Sequence, residues 1–173
     1  MRWERQLLSF LFAGWLSACS PALDWREYRP PEGGFAVLLP QKPGQSRRSL
    51  DTPAGVVVMY MYASRVGEHV LAAGFADFAA PPDAVLLDAM RDALLRNIVG
   101  RIESERAVEA GGFTGREIVA RGTLGSGERA APGMLRARLL VRGNRYVQLI
   151  SIGTAGGLGD ADVDMFLTSF KPG

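Results

Sequence analysis

Four groups of residues carry side chains with which this chain could do chemistry. The first is Cys19, the single cysteine among 173 residues, within GWLSACSP from Gly14 to Pro21. A lone thiol can be a buried core group, a nucleophile, half of an intermolecular disulfide or a point of lipid attachment, but it excludes an intramolecular disulfide and a multi-cysteine metal site. The second is His69, the single histidine. A serine hydrolase needs such a base, yet His69 opens a strand-like run beside Glu68, the chain has no Gly-x-Ser-x-Gly, and the glycine-serine element GTLGSGE has no apolar strand before its serine. His69 therefore reads as a partly exposed histidine at a strand end. The third is GTAGGLGDADVDMF, Gly153 to Phe166. A glycine-rich loop entering a helix can cradle phosphate, but the P-loop lysine and Ser/Thr are absent, and Asp160, Asp162 and Asp164 would repel an anion. Those aspartates also imitate the start of an EF-hand, but Met165 stands where that loop needs glycine and Lys171 where it needs glutamate. Helix capping and dipole compensation account for all three, leaving at most a weak surface cation site. The fourth is the arginine set Arg136, Arg138, Arg142 and Arg145, treated below with the hairpin that carries it.

The surroundings of Cys19 narrow its role. Arg2 and Arg5 form a short charged region, and LLSFLFAGWL, Leu7 to Leu16, is an apolar run of signal-peptide length. It is too short to span a bilayer, which needs about 20 apolar residues. The run ends in Leu16-Ser17-Ala18-Cys19, which resembles the lipobox of bacterial lipoproteins. That resemblance implies cleavage before Cys19, a diacylglycerol thioether on its sulfur and acylation of its new amino group. Several acyl chains hold a protein on a membrane durably where one does so only marginally. Ser20, rather than an aspartate, follows the cysteine, so the resemblance implies the periplasmic side of the outer membrane if the host is Gram-negative. The expected organisation is a signal peptide over 1–18, a flexible tether over 19–32 containing Pro21, Pro30 and Pro31, and a single domain over 33–173.

Composition limits what that domain can be. At 47% hydrophobic and 22% charged residues it is ordinary globular material with room for a real core. The net charge of +2 offers no electrostatic footprint for nucleic acid.

The elements follow from periodicity and turn chemistry. FAVLLP (Phe35 to Pro40), Val56 to Ser64 and His69 to Phe78 read as strands, with a polar loop between the first two. Asp83 caps a helix whose apolar positions Leu86, Leu87, Met90, Ala93, Leu94 and Ile98 form one stripe, and Gly100 ends it in a left-handed conformation. Two more strands follow, near Glu103 to Glu109 and Phe113 to Gly122, separated by Gly111-Gly112, and Gly122 to Gly133 reads as a mobile glycine-rich loop. Gly143-Asn144 then closes a hairpin that sets Arg142 opposite Arg145, Val141 opposite Tyr146, Leu139 opposite Gln148 and Ala137 opposite Ile150. One hairpin face is apolar and faces the core. The other carries the four arginines. It is either a surface for anionic headgroups, lipopolysaccharide or an acidic partner, or a face whose arginines pair with Glu117, Glu103 or Glu105. A last helix begins near Asp160 and aligns Val163, Phe166, Leu167 and Phe170. The fold class is α/β in composition, of the α+β kind: a mainly antiparallel sheet sandwiched by helices.

GGFAVLLPQKPG, LRARLLVRGNRYVQLISIG and MFLTSFKPG together resemble the PsbP-like superfamily. The resemblance implies an antiparallel sheet between helices and an accessory or binding role rather than catalysis. It carries over no ion-ligand or docking residue, and no cofactor is implied. The functional expectation is a lipid-anchored accessory domain at the cell envelope, with the membrane and an envelope protein as partners. Two alternatives stand beside it: a carrier of a small apolar ligand in a pocket lined by Met59, Met61, Phe75 or Phe78, and a hydrolase using His69.

Overall fold

The computed structural model describes residues 23–173. The expected signal peptide, 1–18, and Cys19 lie outside the described residues. Ten strands and two helices occur in the order β1 (Trp25–Tyr28), β2 (Phe35–Pro40), β3 (Gly44–Thr52), β4 (Gly55–Val66), β5 (His69–Asp77), α1 (Ala84–Arg96), β6 (Arg101–Ala110), β7 (Phe113–Leu124), β8 (Ala131–Arg142), β9 (Arg145–Thr154), α2 (Asp160–Thr168) and β10 (Lys171–Pro172). Seven strands form one antiparallel sheet in the order β3-β4-β5-β9-β8-β7-β6, and β1-β2-β10 form a second, small one.

The hairpin that organises the main sheet has the register its turn dictates. Arg142 pairs with Arg145, Val141 with Tyr146, Leu139 with Gln148 and Ala137 with Ile150. Gly143 takes φ 57°, a left-handed conformation that a Cβ would strain. Because side chains alternate, this register sends Leu135, Ala137, Leu139, Tyr146 and Ile150 to one face. There they are buried with Leu86, Met90, Leu94 and Ile98 of α1. Asp83 caps α1 as its position suggests, its Oδ1 accepting from the Leu86 amide at 2.8 Å. On the opposite face Leu71, Ala73, Phe75, Leu140, Val147 and Leu149 are buried against Phe35, Val37 and Leu39 of β2 and Val163, Phe166 and Leu167 of α2. One side of the main sheet is thus covered by a helix, and the other by a helix together with the small sheet rather than by a helix alone.

Four expectations are corrected. The segment 19–32 is not a free tether throughout, because Trp25–Tyr28 pairs antiparallel with Val37–Pro40. The polar stretch before β4 is not a loop but the nine-residue strand β3, whose side chains are almost all exposed because it is the sheet edge and so has no apolar alternation to betray it. The Gly122 to Gly133 loop is shorter than expected: β7 runs to Leu124 and β8 starts at Ala131, with a single 3-10 turn, Gly127–Arg129, between them. Finally, the left-handed residue after α1 is Val99 at φ 43°, not Gly100. Gly100 instead lies so close to Ile98 and the Arg121 carbonyl that a Cβ there would collide with both.

Candidate functional site

The α2-facing side of the main sheet changes character along its strands. In its middle, Tyr60, Phe75, Val147 and Leu140 lie side by side on four adjacent strands, with Tyr60 stacked on Phe75. Moving toward the end of the sheet, the neighbouring rows turn polar. Arg106, Glu117 and Arg138 face one another across β6, β7 and β8, and Ser64, Leu71, Ser151 and Arg136 line up across β4, β5, β9 and β8.

Glu117 is the hub of the charges. It is 5 % exposed and accepts from Arg106 at 2.9 Å and from Arg138 at 2.7 Å, with Arg136 at 3.8 Å. Burial opposes its ionisation, but the hydrogen bonds from Arg138 and Arg106 outweigh that and hold its carboxyl below the usual range. Arg138 also donates to the Leu167 carbonyl at the C-terminal turn of α2, where a cation complements the helix dipole. Arg136 reaches Asp164 of the same helix.

The hairpin arginines are therefore engaged within the chain. Arg145 grips Asp77 with two parallel hydrogen bonds, 2.7 and 2.6 Å, and donates to the Glu32 and Gly33 carbonyls. The hydrogen bonds from Arg145 hold the Asp77 carboxyl down despite burial. Arg142 lies 4.4 Å over the Phe113 ring. Of the two readings open for Arg136, Arg138, Arg142 and Arg145, pairing within the chain describes Arg136, Arg138 and Arg145, while Arg142 is exposed beside Phe113. Of the three acids expected as partners only Glu117 serves. Glu103 pairs with Arg121, and Glu105 with Arg116 and Arg91.

At the end of this face, beyond the N-terminal turn of α2, lies a cleft of about 290 Å³. His69, Ser151, Arg136 and Arg121 form its floor and sides, and Thr154, Gly156, Gly159 and Asp160 its rim. His69 is buried, not partly exposed. Its Nε2 lies 2.7 Å from Ser151 Oγ, and its Nδ1 has no partner among the described residues. Burial pushes its pKa below the ordinary value, so the ring is neutral near pH 7. Gly153 sits directly beside the imidazole, where any Cβ would collide with it. Sequence reasoning missed Ser151. Alternation along the hairpin puts it on the arginine face, but its contact with His69 depends on the pairing of β5 with β9, strands far apart in the chain.

A serine and a neutral histidine at hydrogen-bonding distance are two members of a nucleophilic triad. The third role, a carboxylate on Nδ1, is unfilled among the described residues. Ser151 is 2 % exposed and lies within a paired strand, where its neighbours' amides belong to the ladder. The arrangement can hold and polarise a ligand more readily than it can attack one.

The other sequence candidates do not converge. Met59 and Phe78 pack in the α1-side core and Phe75 in the α2-side core, so they cannot line one apolar pocket. Asp164 is committed to Arg136, and among the described residues no group of three or more His, Cys, Asp or Glu side chains is placed to hold a metal ion. Nor, among the described residues, is any helix long and apolar enough to cross a membrane.

No protein-family model matches the chain, and no curated protein matches it in sequence. Among solved structures, cyanobacterial PsbP (CyanoP) from Synechocystis sp. PCC 6803 is similar at 14% identity and a TM-score of 0.55, covering 93% of this chain and 99% of that one. The fold is thus PsbP-like, in agreement with the expectation from the three quoted stretches. A protein from Bacteroides thetaiotaomicron VPI-5482 aligns at 13% identity and a TM-score of 0.46, covering 86% of this chain. The chain spans about half the length of that protein, 48%. A Pseudomonas aeruginosa protein of unknown function aligns at 13% identity and a TM-score of 0.38, covering 81% of this chain and 90% of that one.

Proposed function

We propose that this chain is a lipid-anchored accessory domain of the cell envelope, which acts by binding and not by turnover. The observation that carries the anchor is Leu16-Ser17-Ala18-Cys19 at the end of a ten-residue apolar run, Leu7 to Leu16, behind Arg2 and Arg5. The binding part is supported by the PsbP-like fold and by a polar cleft whose serine-histidine pair has, among the described residues, no carboxylate on Nδ1. The anchor sets the domain at a membrane surface with the rest of the chain free to meet a partner. Metabolic labelling with a fatty acid tests this. The wild-type chain takes up label and runs at its processed size, whereas Cys19→Ala accumulates as unlabelled precursor. Labelling of Cys19→Ala equal to wild type overturns the anchor.

A second reading, hydrolysis by Ser151 and His69, is favoured by their 2.7 Å contact. A serine-directed fluorophosphonate decides it. The binding reading expects no adduct, and an adduct lost in Ser151→Ala would replace binding with catalysis.

A further inference from the structure

Among the described residues three buried side-chain polar atoms have no hydrogen-bond partner: Ser64 Oγ, His69 Nδ1 and Arg136 Nε. They are not scattered. Ser64, Leu71, Ser151 and Arg136 are consecutive cross-strand neighbours, and His69 bonds to the Ser151 of that row. Two of the three belong to side chains that line the cleft. An unpaired buried donor costs stability, so a cluster of them marks a place that a polar occupant completes.

The sign of that occupant follows from the donors. Arg136 Nε can only donate. When Ser151 donates its hydroxyl proton to His69 Nε2, Nδ1 carries the ring proton and donates as well. His69 is 5 % exposed, and its Nδ1 lies against Gly153, with Gly157 of the loop that leads into α2 next to it. The N-terminal turn of α2 borders the same space, with Gly159 at the cap position and no side chain capping the amides. The charges around Arg136 leave a surplus of one positive, since Arg106, Arg136 and Arg138 share the two carboxylates of Glu117 and Asp164. Arg121 is neutralised by Glu103, and two acids of the first turn of α2 oppose an anion, exposed Asp160 in the cleft lining and Asp162 beside Gly159.

We propose that this cleft binds a small oxyanion, a phosphate or carboxylate group, held by Arg136 Nε, His69 Nδ1 and the free amides at the start of α2. The site names a ligand class for the binding reading above. It does not rest on the anchor, since labelling at Cys19 can succeed or fail without altering it.

The test uses full-length protein in detergent micelles, titrated calorimetrically with inorganic phosphate and, in a separate arm, with acetate. The single histidine provides a site-specific NMR signal in the same samples. The expected result is saturable binding in at least one arm, with the His69 ring resonances moving along the same isotherm, and the stronger arm identifies the headgroup. Arg136→Gln should weaken binding about tenfold, the loss of a charge-assisted hydrogen bond. Asp160→Asn, an exposed change that the fold tolerates, should tighten it about threefold by removing one opposing charge. Water alone in the cleft, seen as no saturable heat up to concentrations on the order of 10 mM in either arm, overturns the proposal. So does binding that leaves the His69 ring unmoved, or that Asp160→Asn fails to strengthen.

Discussion

The two faces of the main sheet solve the same packing problem with different materials. On the α1 side, Leu135, Ala137, Leu139, Tyr146 and Ile150 meet Leu86, Met90, Leu94 and Ile98, and charges such as Arg116 with Asp88 and Glu105 are confined to the rim. Even its buried polar pair is satisfied internally: the Tyr146 hydroxyl donates to Gln148, which donates to the Met61 sulfur. On the α2 side an apolar centre passes into the Glu117 network and then into the orphaned polar atoms of the cleft. A face built only to fold gains nothing from leaving donors unpaired, since each costs stability. Both sides hold the domain together, and the difference marks the α2 side as the one on which the binding proposal rests.

Substitutions on each side sharpen the contrast. Leu139→Ala, at a fully buried α1-side position, should cost about 3 kcal/mol in chemical denaturation, with the same loss at high and low salt. Equal losses on both faces in every ionic condition would erase the distinction. Glu117→Gln should cost about 2 kcal/mol, less than the strongest buried pairs because Arg106 is well exposed. Its cost should also depend on pH. The folded-state pKa of Glu117 is depressed, so its contribution is present above the unfolded value of about 4.3 and is lost as pH falls through the folded pKa. The variant's denaturation profile should therefore be flatter than wild type below about pH 4. Arg145→Gln should cost about 1–2 kcal/mol, because it releases Asp77 and the Glu32 and Gly33 carbonyls that tie the segment before β2 to β9. Amide hydrogen exchange should rise first in β1 and β2. If it rises first in β8, the arginine does not clamp the small sheet.

The smallest effect belongs to the cleft. Burial lowers the His69 pKa, so in the window between the folded value and the unfolded value of about 6.5 the unfolded chain binds the extra proton. Stability is complete above that window and falls as pH drops through it. His69→Asn should remove this shallow limb and leave the steeper one due to carboxylates.

How much of this could be read in the residues depends on whether neighbouring or distant positions decide it. Gly143-Asn144 dictates the β8–β9 register, and that register alone separates the core face from the arginine face. Asp83 and the stripe from Leu86 to Ile98 specify α1 in the same local way. Strand β3 was hidden because nearly all of its side chains meet solvent, and β1 because only Trp25 and Tyr28 of its four residues pack against the α2-side core. The left-handed turn at Val99 defies local preference, since a β-branched residue takes the conformation while Gly100 is spent on close packing against Arg121. The arginines were visible, but not their cover: α2 and the small sheet come from opposite ends of the domain, and only their meeting buries Arg136 and Arg138. The His69–Ser151 contact likewise joins residues 82 apart.

The claim that the α2 side is a binding face is tested most directly by titrating the His69 imidazole by NMR with and without phosphate. The account predicts a pKa below the ordinary histidine value in buffer and an upward shift on adding phosphate, because an anion beside Nδ1 favours the protonated ring. A pKa at the ordinary value, indifferent to phosphate and to acetate alike, would contradict it.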